Sequence, residues 1–440
     1  MFLPLFLIGQ ESNPFARLES PTDNSPYSRF GLGDLAEPNH VPISIMGNLT
    51  AAYHDKYNTN IQNPASLPYL QAASFEVGLN AKYSRLSEGV VQFNGWSGNL
   101  SYFSLAFPLS NPINDLLDRV ERKYQLGMAF SVNPYTTVGY DILTNGAEDG
   151  VGNFERNYIG AGGTYTAMWG TGVKVKGFSG GLNLGYLFGK IGTNRTIRFY
   201  ELTAPFNNFE RINTHITGFV YNLGLQYNFV LNKNELVDNP SLPKKEVTVG
   251  LYGNPSTNFN TSTDELFLTI REVVSALPTD TIVNQVDVAG EGKLPGKLGI
   301  GVMYKKGEIW GIGANFETQN WSVFETSGNT PDLVNSFKAS LGGFISPNPT
   351  AFNYLKRIQY KAGIFYTKEP FVVLGEEVAS YGITAGFGLP FVNARKVSNA
   401  NIGVSLGQRG INSAIEEEFL KLSFGFTFNS TDWFLKRKYN

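Results

Sequence analysis

Apolar residues recur at every second position through much of this chain. In FLKLSFGFTF (419–428), Leu420, Leu422, Phe424, Phe426 and Phe428 fall on one side. Lys421, Ser423, Gly425 and Thr427 fall on the other. Successive side chains of a strand point to opposite faces, so this stretch predicts a strand with one face that rejects water and one that accepts it. SFEVGLNAKYSRL gives the same reading, with Phe75, Val77, Leu79, Ala81 and Tyr83 opposing Glu76, Asn80, Lys82 and Ser84. TGFVYNLGLQYNF and YGITAGFGLPF repeat it.

The polar faces decide between a soluble sheet and a membrane barrel. They carry Gly, Asn, Ser, Thr, Lys and Gln, which are poor core residues, while the apolar faces are long and rich in aromatics. A closed barrel with lipid outside and a polar lumen needs this distribution. A soluble sandwich would expose its other faces to water and carry far more charge. The period predicts strands near 72–86, 97–110, 122–143, 177–190, 194–204, 212–231, 245–258, 284–305, 308–318, 336–345, 356–367, 378–391, 399–409 and 418–428. The predicted fold is therefore all-β, a 14-stranded antiparallel transmembrane β-barrel spanning 71–428. An even count brings both ends of the barrel segment to one side of the membrane.

Some segments lack the period. Residues 10–70 are rich in Pro, Asn and Ser, yet Ile43, Ile45, Met46 and Leu49 are too apolar for a free tail. The segment is read as a hatch packed in the lumen. Residues 145–176 hold glycine clusters and a short predicted helix. DELFLTIREVVSAL within 259–283 has helical spacing, and is either a helix on a long loop or an extension of its neighbouring strands. Residues 1–9, an apolar run ahead of a polar break, resemble the remnant of a secretory signal and are too short to span a bilayer. Residues 429–440 are expected to form a short periplasmic tail.

Composition narrows the function classes. Only 16% of the 440 residues are charged, against a norm of about 25%. The formal net charge of −2 offers no basic field for nucleic acid. There is no cysteine, which excludes disulfides, thiolate metal sites and cysteine nucleophiles.

Candidate chemistry is sparse. GVSLG (403–407) and GFSGG (177–181) match G-x-S-x-G, but that motif needs a strand–turn–helix elbow and both lie in or at alternating strands. His40, His54 and His215 are widely spaced. The acidic runs AEDG and IEEEF lack the alternating oxygen ligands of a calcium loop. No catalytic residue, metal site or cofactor is therefore expected, and no enzyme activity. NIQNPASLPYL (60–70) has more to offer. Pro64 fixes φ and removes a donor, while Asn63 can hydrogen-bond nearby backbone, a pairing that suits one compact local shape. NPYTTVGY (133–140) places Pro134 inside the third predicted strand, where a missing donor marks a bulge or an edge.

These strings resemble the FadL/TodX family of outer-membrane transporters of hydrophobic compounds. Asn63, Pro64 and Ala65 match that family's Asn-Pro-Ala motif, which lies in an N-terminal hatch just before the first strand. SPYSRFGLGDL (25–35), GAGG (160–163), LGYLFGK (184–190), the 294–324 block and WFLKRKY resemble a branch common in bacteria with type IX secretion. The resemblance implies the outer membrane and contact with its lipids. It also implies an inward kink of the third strand that opens a lateral gap, to which Asn133, Pro134 and Tyr135 would belong; a rim bulge with no opening is the other reading of Pro134. Two functions remain open. One is passive uptake of hydrophobic small molecules, with such a ligand or detergent in the lumen. The other is a structural or accessory subunit of an outer-membrane complex, of the secretion or barrel-assembly kind, with other outer-membrane proteins as partners.

Overall fold

The computed structural model describes residues 25–89, 91–109, 123–203, 205–271, 278–326, 333–393, 396–411 and 413–430. Residues 1–9, read from the sequence as a signal remnant, and the tail WFLKRKY lie outside them.

Fourteen antiparallel strands close on themselves. They are β1 (Ala73–Glu88), β2 (Val91–Pro108), β3 (Gln125–Glu148), β4 (Gly152–Val175), β5 (Phe178–Phe199) and β6 (Phe206–Val230). β7 runs in two pieces, Lys245–Asn254 and Thr257–Arg271, and β8 returns in two, Pro278–Leu294 and Lys297–Lys306. β9 (Trp310–Gln319), β10 (Ser336–Ile345), β11 (Gln359–Val373), β12 (Glu376–Asn393), β13 (Lys396–Arg409) and β14 (Glu416–Ser430) complete the wall. β14 pairs with β1 from Glu416↔Ser87 to Ser430↔Ala73, and that pairing closes the barrel. The end carrying Ala73 and Ser430 is called the near end below.

The total matches the sequence reading, but two of its segments do not. Residues 152–175, expected to hold a helix, are a full strand paired along its length with β3 and β5. The two strands expected at 177–190 and 194–204 are one strand, β5. The glycines hid the first strand, because a glycine leaves its face unmarked. GKIGTN at 189–194 imitated a turn, although its backbone continues in the ladder. DELFLTIR likewise extends β7, pairing with both β6 and β8, so among the described residues its helical spacing forms no helix.

The breaks in β7 and β8 have a plain cause. Pro255 and Pro295 lack the N–H a ladder requires, and the two interruptions lie side by side, between Thr257↔Leu294 and Asn254↔Lys297. Outward side chains such as Leu79, Leu223, Ile300, Ile364 and Ile383 are exposed. Burial of an ordinary core cannot explain that apolar wall, and lipid contact can. Aromatic contacts border it: Tyr83 meets Trp96 towards the far end, and Phe75 meets Phe103 and Phe428 towards the near end.

Residues 25–72 pack against the inward faces of the strands. Val41, Ile43, Ile45, Met46, Leu49, Ile61 and Leu67 are buried. Several inward glycines exist for this contact. A Cβ on Gly127 would strike the backbone of Leu67, one on Gly250 that of Ala51, and one on Gly363 that of Met46 and Gly47.

Candidate functional site: the filled lumen and the slot in the wall

The near half of the lumen holds the Asn-Pro-Ala motif. Asn63, fully buried, caps the 3₁₀ helix Pro64–Tyr69, its side chain accepting from the Ala65 N–H at 3.1 Å. Pro64 follows at the first helical position, where its missing donor costs nothing. The Asn63 amide donates to the Ala51 carbonyl at 2.6 Å and to the Leu251 carbonyl of β7 at 3.4 Å. Wall side chains answer the rest of this irregular backbone. Asn183 donates to the Ile61 carbonyl, Asn222 to that of Gln62 and Gln226 to that of Ala51. Irregular backbone at this depth is tolerated only where such partners exist.

Asn63→Ala removes the cap and two further bonds. We expect a loss of about 1–3 kcal/mol in the holding of this segment, read as faster tryptic cleavage at Lys56 in the intact barrel. Unchanged cleavage would mean that the wall amides alone hold it.

His54 sits at the near end. Its Nε2 faces Glu246 at 3.5 Å, Lys305 donates to its own carbonyl at 3.0 Å, and its ring stacks on Tyr69. Burial lowers its pKa from 6.5 to about 4, the positive charges of Lys305 and Lys174 add to that, and Glu246 partly opposes it. The buried Nδ1 has no partner, so a proton there would go unsatisfied. The unfolded chain binds the proton near pH 6.5 and the folded one only near pH 4. Stability is therefore complete above pH 6.5 and falls with pH until about 4, by roughly 3 kcal/mol. Corrected for the intrinsic rate at each pH, the protection of amides around Ala52–Asn58 is expected to fall as pH drops over that window in the parent and much less in His54→Phe; identical profiles would overturn the assignment.

A cavity of about 380 Å³ lies above this layer. Its floor includes Glu37, Asn48 and Gln62. Glu37 accepts from Lys338 at 2.7 Å, Lys421 at 3.0 Å and Asn48 at 3.0 Å. Burial alone would raise the Glu37 pKa, but the two lysines hold it well below the usual carboxylate range. Higher up, Arg409 forms a bidentate pair with Asp34, at 2.8 and 3.1 Å, and lies 3.7 Å from Glu417, which also binds Lys82. The Arg409 guanidinium rests on the rings of Tyr27 and Phe371. Above it Tyr27 and Leu32 of the N-terminal segment join Phe259, Leu294, Trp321, Phe324 and Phe371 in an apolar cluster. Sequence reasoning missed this charged layer. Lys82 and Lys421 sit on polar faces already identified, but nothing local pairs them with Glu417 or Glu37.

The wall itself is incomplete between β2 and β3. Their ladder runs only from Pro108↔Gly127 to Phe103↔Val132. Beyond it β2 carries an extra residue, Ser101, opposite Gly78 and Leu79, and β3 carries one, Tyr135, between Pro134 and Thr136. Asn133 is buried there, its amide donating to Ser131 at 2.9 Å. The cavity is lined by both banks of this slot, Ser97–Ser101 on one and Pro134, Tyr135 and Thr137 on the other. The edge of β3 is taken by the N-terminal segment: Asp34 and Leu35 pair with Thr137 and Thr136, and the Ala36 N–H donates to the Tyr135 carbonyl at 3.0 Å.

Ser405 and Ser179 lie within β13 and β5, away from any strand–turn–helix elbow. Among the described residues, no cluster of three or more His, Asp or Glu suits a metal ion.

The BamG family model matches residues 15–440. The chain belongs to the BamG family. Among solved structures, this BamG-family chain is similar to a Pseudomonas aeruginosa FadL homologue at 11% identity, with a TM-score of 0.55 over 90% of this chain and 100% of that one. It is similar to the Pseudomonas putida toluene transporter TodX at 14% identity and a TM-score of 0.51, covering 91% and 99% of the two chains. The Ralstonia pickettii toluene transporter TbuX gives 10% identity and a TM-score of 0.51, covering 89% and 99%. At these identities the likeness is one of fold. No curated protein sequence matches the chain.

Proposed function

We propose that this chain is a bacterial outer-membrane barrel that serves as an accessory subunit of an outer-membrane protein complex, with residues 25–70 acting as a hatch that keeps the lumen closed. The observation that carries this reading is the lumen. Its near half is filled by backbone tied to the wall through Asn63, Asn183, Asn222 and Gln226. The space that remains is ringed by Lys82, Lys338, Lys421, Arg409 and Glu417, and its far side carries the Tyr27–Phe371 cluster. Apolar surface lines it too, but a site for an apolar ligand would carry only a few polar groups and not such a ring of charges. Membership in the BamG family supports protein partners in the same membrane. The strings SPYSRFGLGDL and WFLKRKY support placing it in the branch found in bacteria with type IX secretion.

A second reading is passive passage of hydrophobic small molecules. It is favoured by the shared fold with TodX and TbuX and by the slot at Asn133, Pro134 and Tyr135, which would serve as a lateral opening to lipid. Gentle detergent extraction from native membranes separates the two. The accessory reading expects stoichiometric protein and no bound apolar small molecule. A barrel that runs alone and carries a lipid-like ligand would replace it with the transport reading.

A further inference from the structure

The two edges of the slot are unequal. That of β3 is satisfied by the N-terminal segment: besides Asp34–Ala36, the Ser25 N–H donates to the Gly139 carbonyl at 2.8 Å, and the Gly139 N–H donates to Ser28 Oγ at 3.0 Å. That of β2 is not. From Val91 to Leu100, β2 pairs with β1 on one side, and among the described residues no strand pairs with its other side.

The position of this edge makes it costly. Leu100 lies opposite Leu79, and both point outward, 52% and 47% exposed. Trp96, next to Tyr83, marks the far border of the apolar wall, and Phe103 stands towards the near border. The stretch Trp96–Ser101 is thus at lipid depth. An open strand edge facing hydrocarbon leaves each unpaired N–H and C=O without water, which barrels avoid by closure. Here closure is refused, because the bulge at Ser101 turns β2 aside and the N-terminal segment already holds the place on β3 that β2 would take. The buried Ser101 hydroxyl has no partner either.

We propose that the β2 edge, Val91–Ser101, receives an extended segment of a partner outer-membrane polypeptide by strand addition, the partner completing the wall that this chain leaves open. The proposal deepens the accessory-subunit reading and rests on it. The edge suits a strand. Gly95 and Gly98 leave room beside it on the two faces, Leu100 and Trp96 offer apolar contact on the lipid side, and Ser97 and Asn99 offer hydrogen bonds on the lumen side. The occupant therefore alternates apolar and polar residues, with its apolar face continuing the outer wall.

The experiment uses the full chain in its native membrane, with a photoreactive amino acid placed singly at Asn94, Ser97 or Asn99, and at Tyr186 or Phe219 on the lipid face of β5 and β6 as controls. The expected result is that the edge positions cross-link one polypeptide, at residues of a single stretch spaced as the probes are, three apart and then two apart, while the controls do not. Amide exchange in Val91–Ser101 is expected to be at least about tenfold faster in the isolated barrel than in the gently extracted complex. Cross-links to residues 1–24 of the same chain, or equal protection of Val91–Ser101 in both samples, would overturn the proposal. A complex that stays intact while only other faces cross-link would overturn it and leave the accessory reading standing. A barrel that migrates alone after gentle extraction would remove both.

Discussion

Leu79→Arg is expected to block assembly of the barrel, whereas Asn80→Arg, one residue further on, leaves it assembled. The two positions share a depth and differ only in face. Leu79 pairs with Phe424 on one side and Leu100 on the other, midway along the apolar wall. An Arg facing lipid there costs about 2–4 kcal/mol. Asn80 faces the polar cavity, where it accepts a hydrogen bond from Ser423 at 3.1 Å. Its replacement loses that bond, worth about 1 kcal/mol, and the new guanidinium enters the polar cavity beside Ser423, Lys82 and Lys421, with Glu417 among the carboxylates lining it. Heat-modifiable gel mobility measures the folded fraction of each variant. Equal loss in both would mean that the two faces have been assigned wrongly.

Deleting residues 25–65 is expected to convert a closed barrel into an open pore. Inward Gly127, Gly224, Gly250 and Gly363 touch this segment and have no side chains of their own to fill the space it leaves. Asn183, Asn222, Gln226 and Lys361 also face it, and water can take over their hydrogen bonds. The wall keeps its own ladders, including the closing pair of β14 and β1. The β3 edge loses its partners at Asp34–Ala36, Ser25 and Ser28, Arg409 loses Asp34, and Lys338 and Lys421 lose Glu37; hydration from the opened lumen compensates them. Single-channel conductance is expected to rise from near zero to that of a pore, with greater sensitivity of the cells to vancomycin. If folded barrel is present at the parent's level and neither quantity rises, the segment is not what closes the lumen.

The largest effects thus fall on two different kinds of information. Which face of β1 meets lipid was legible, because alternation is a local property and each residue carries its own transfer preference. The same period located most strands and closed the count at fourteen. It failed at β4, where Gly160, Gly162, Gly163, Gly170 and Gly172 weaken the contrast between faces, and at β5, where polar residues in the middle of one strand imitated a turn. The two errors cancelled in the total. Asn63 and Pro64 were singled out for a local reason and Ala65 by the family resemblance, and the cap that Asn63 makes to Ala65 is local too.

Everything that joins distant parts of the chain was decided by the tertiary structure. Arg409 meets Asp34 across 375 positions of sequence, and Lys421 meets Glu37 across 384. Neither pair is written in any pattern short enough to read. Pro134 announced a broken ladder, but a missing donor does not say which neighbour departs. The slot exists because Ser101 bulges on the facing strand and because Asp34 and Leu35 occupy the edge of β3. By itself the sequence determined an apolar outside and a polar inside, since side-chain chemistry and a two-residue period suffice for that. Only the folded chain decided what fills the inside and which edge stays open, since those depend on which backbone groups come within hydrogen-bonding distance of one another.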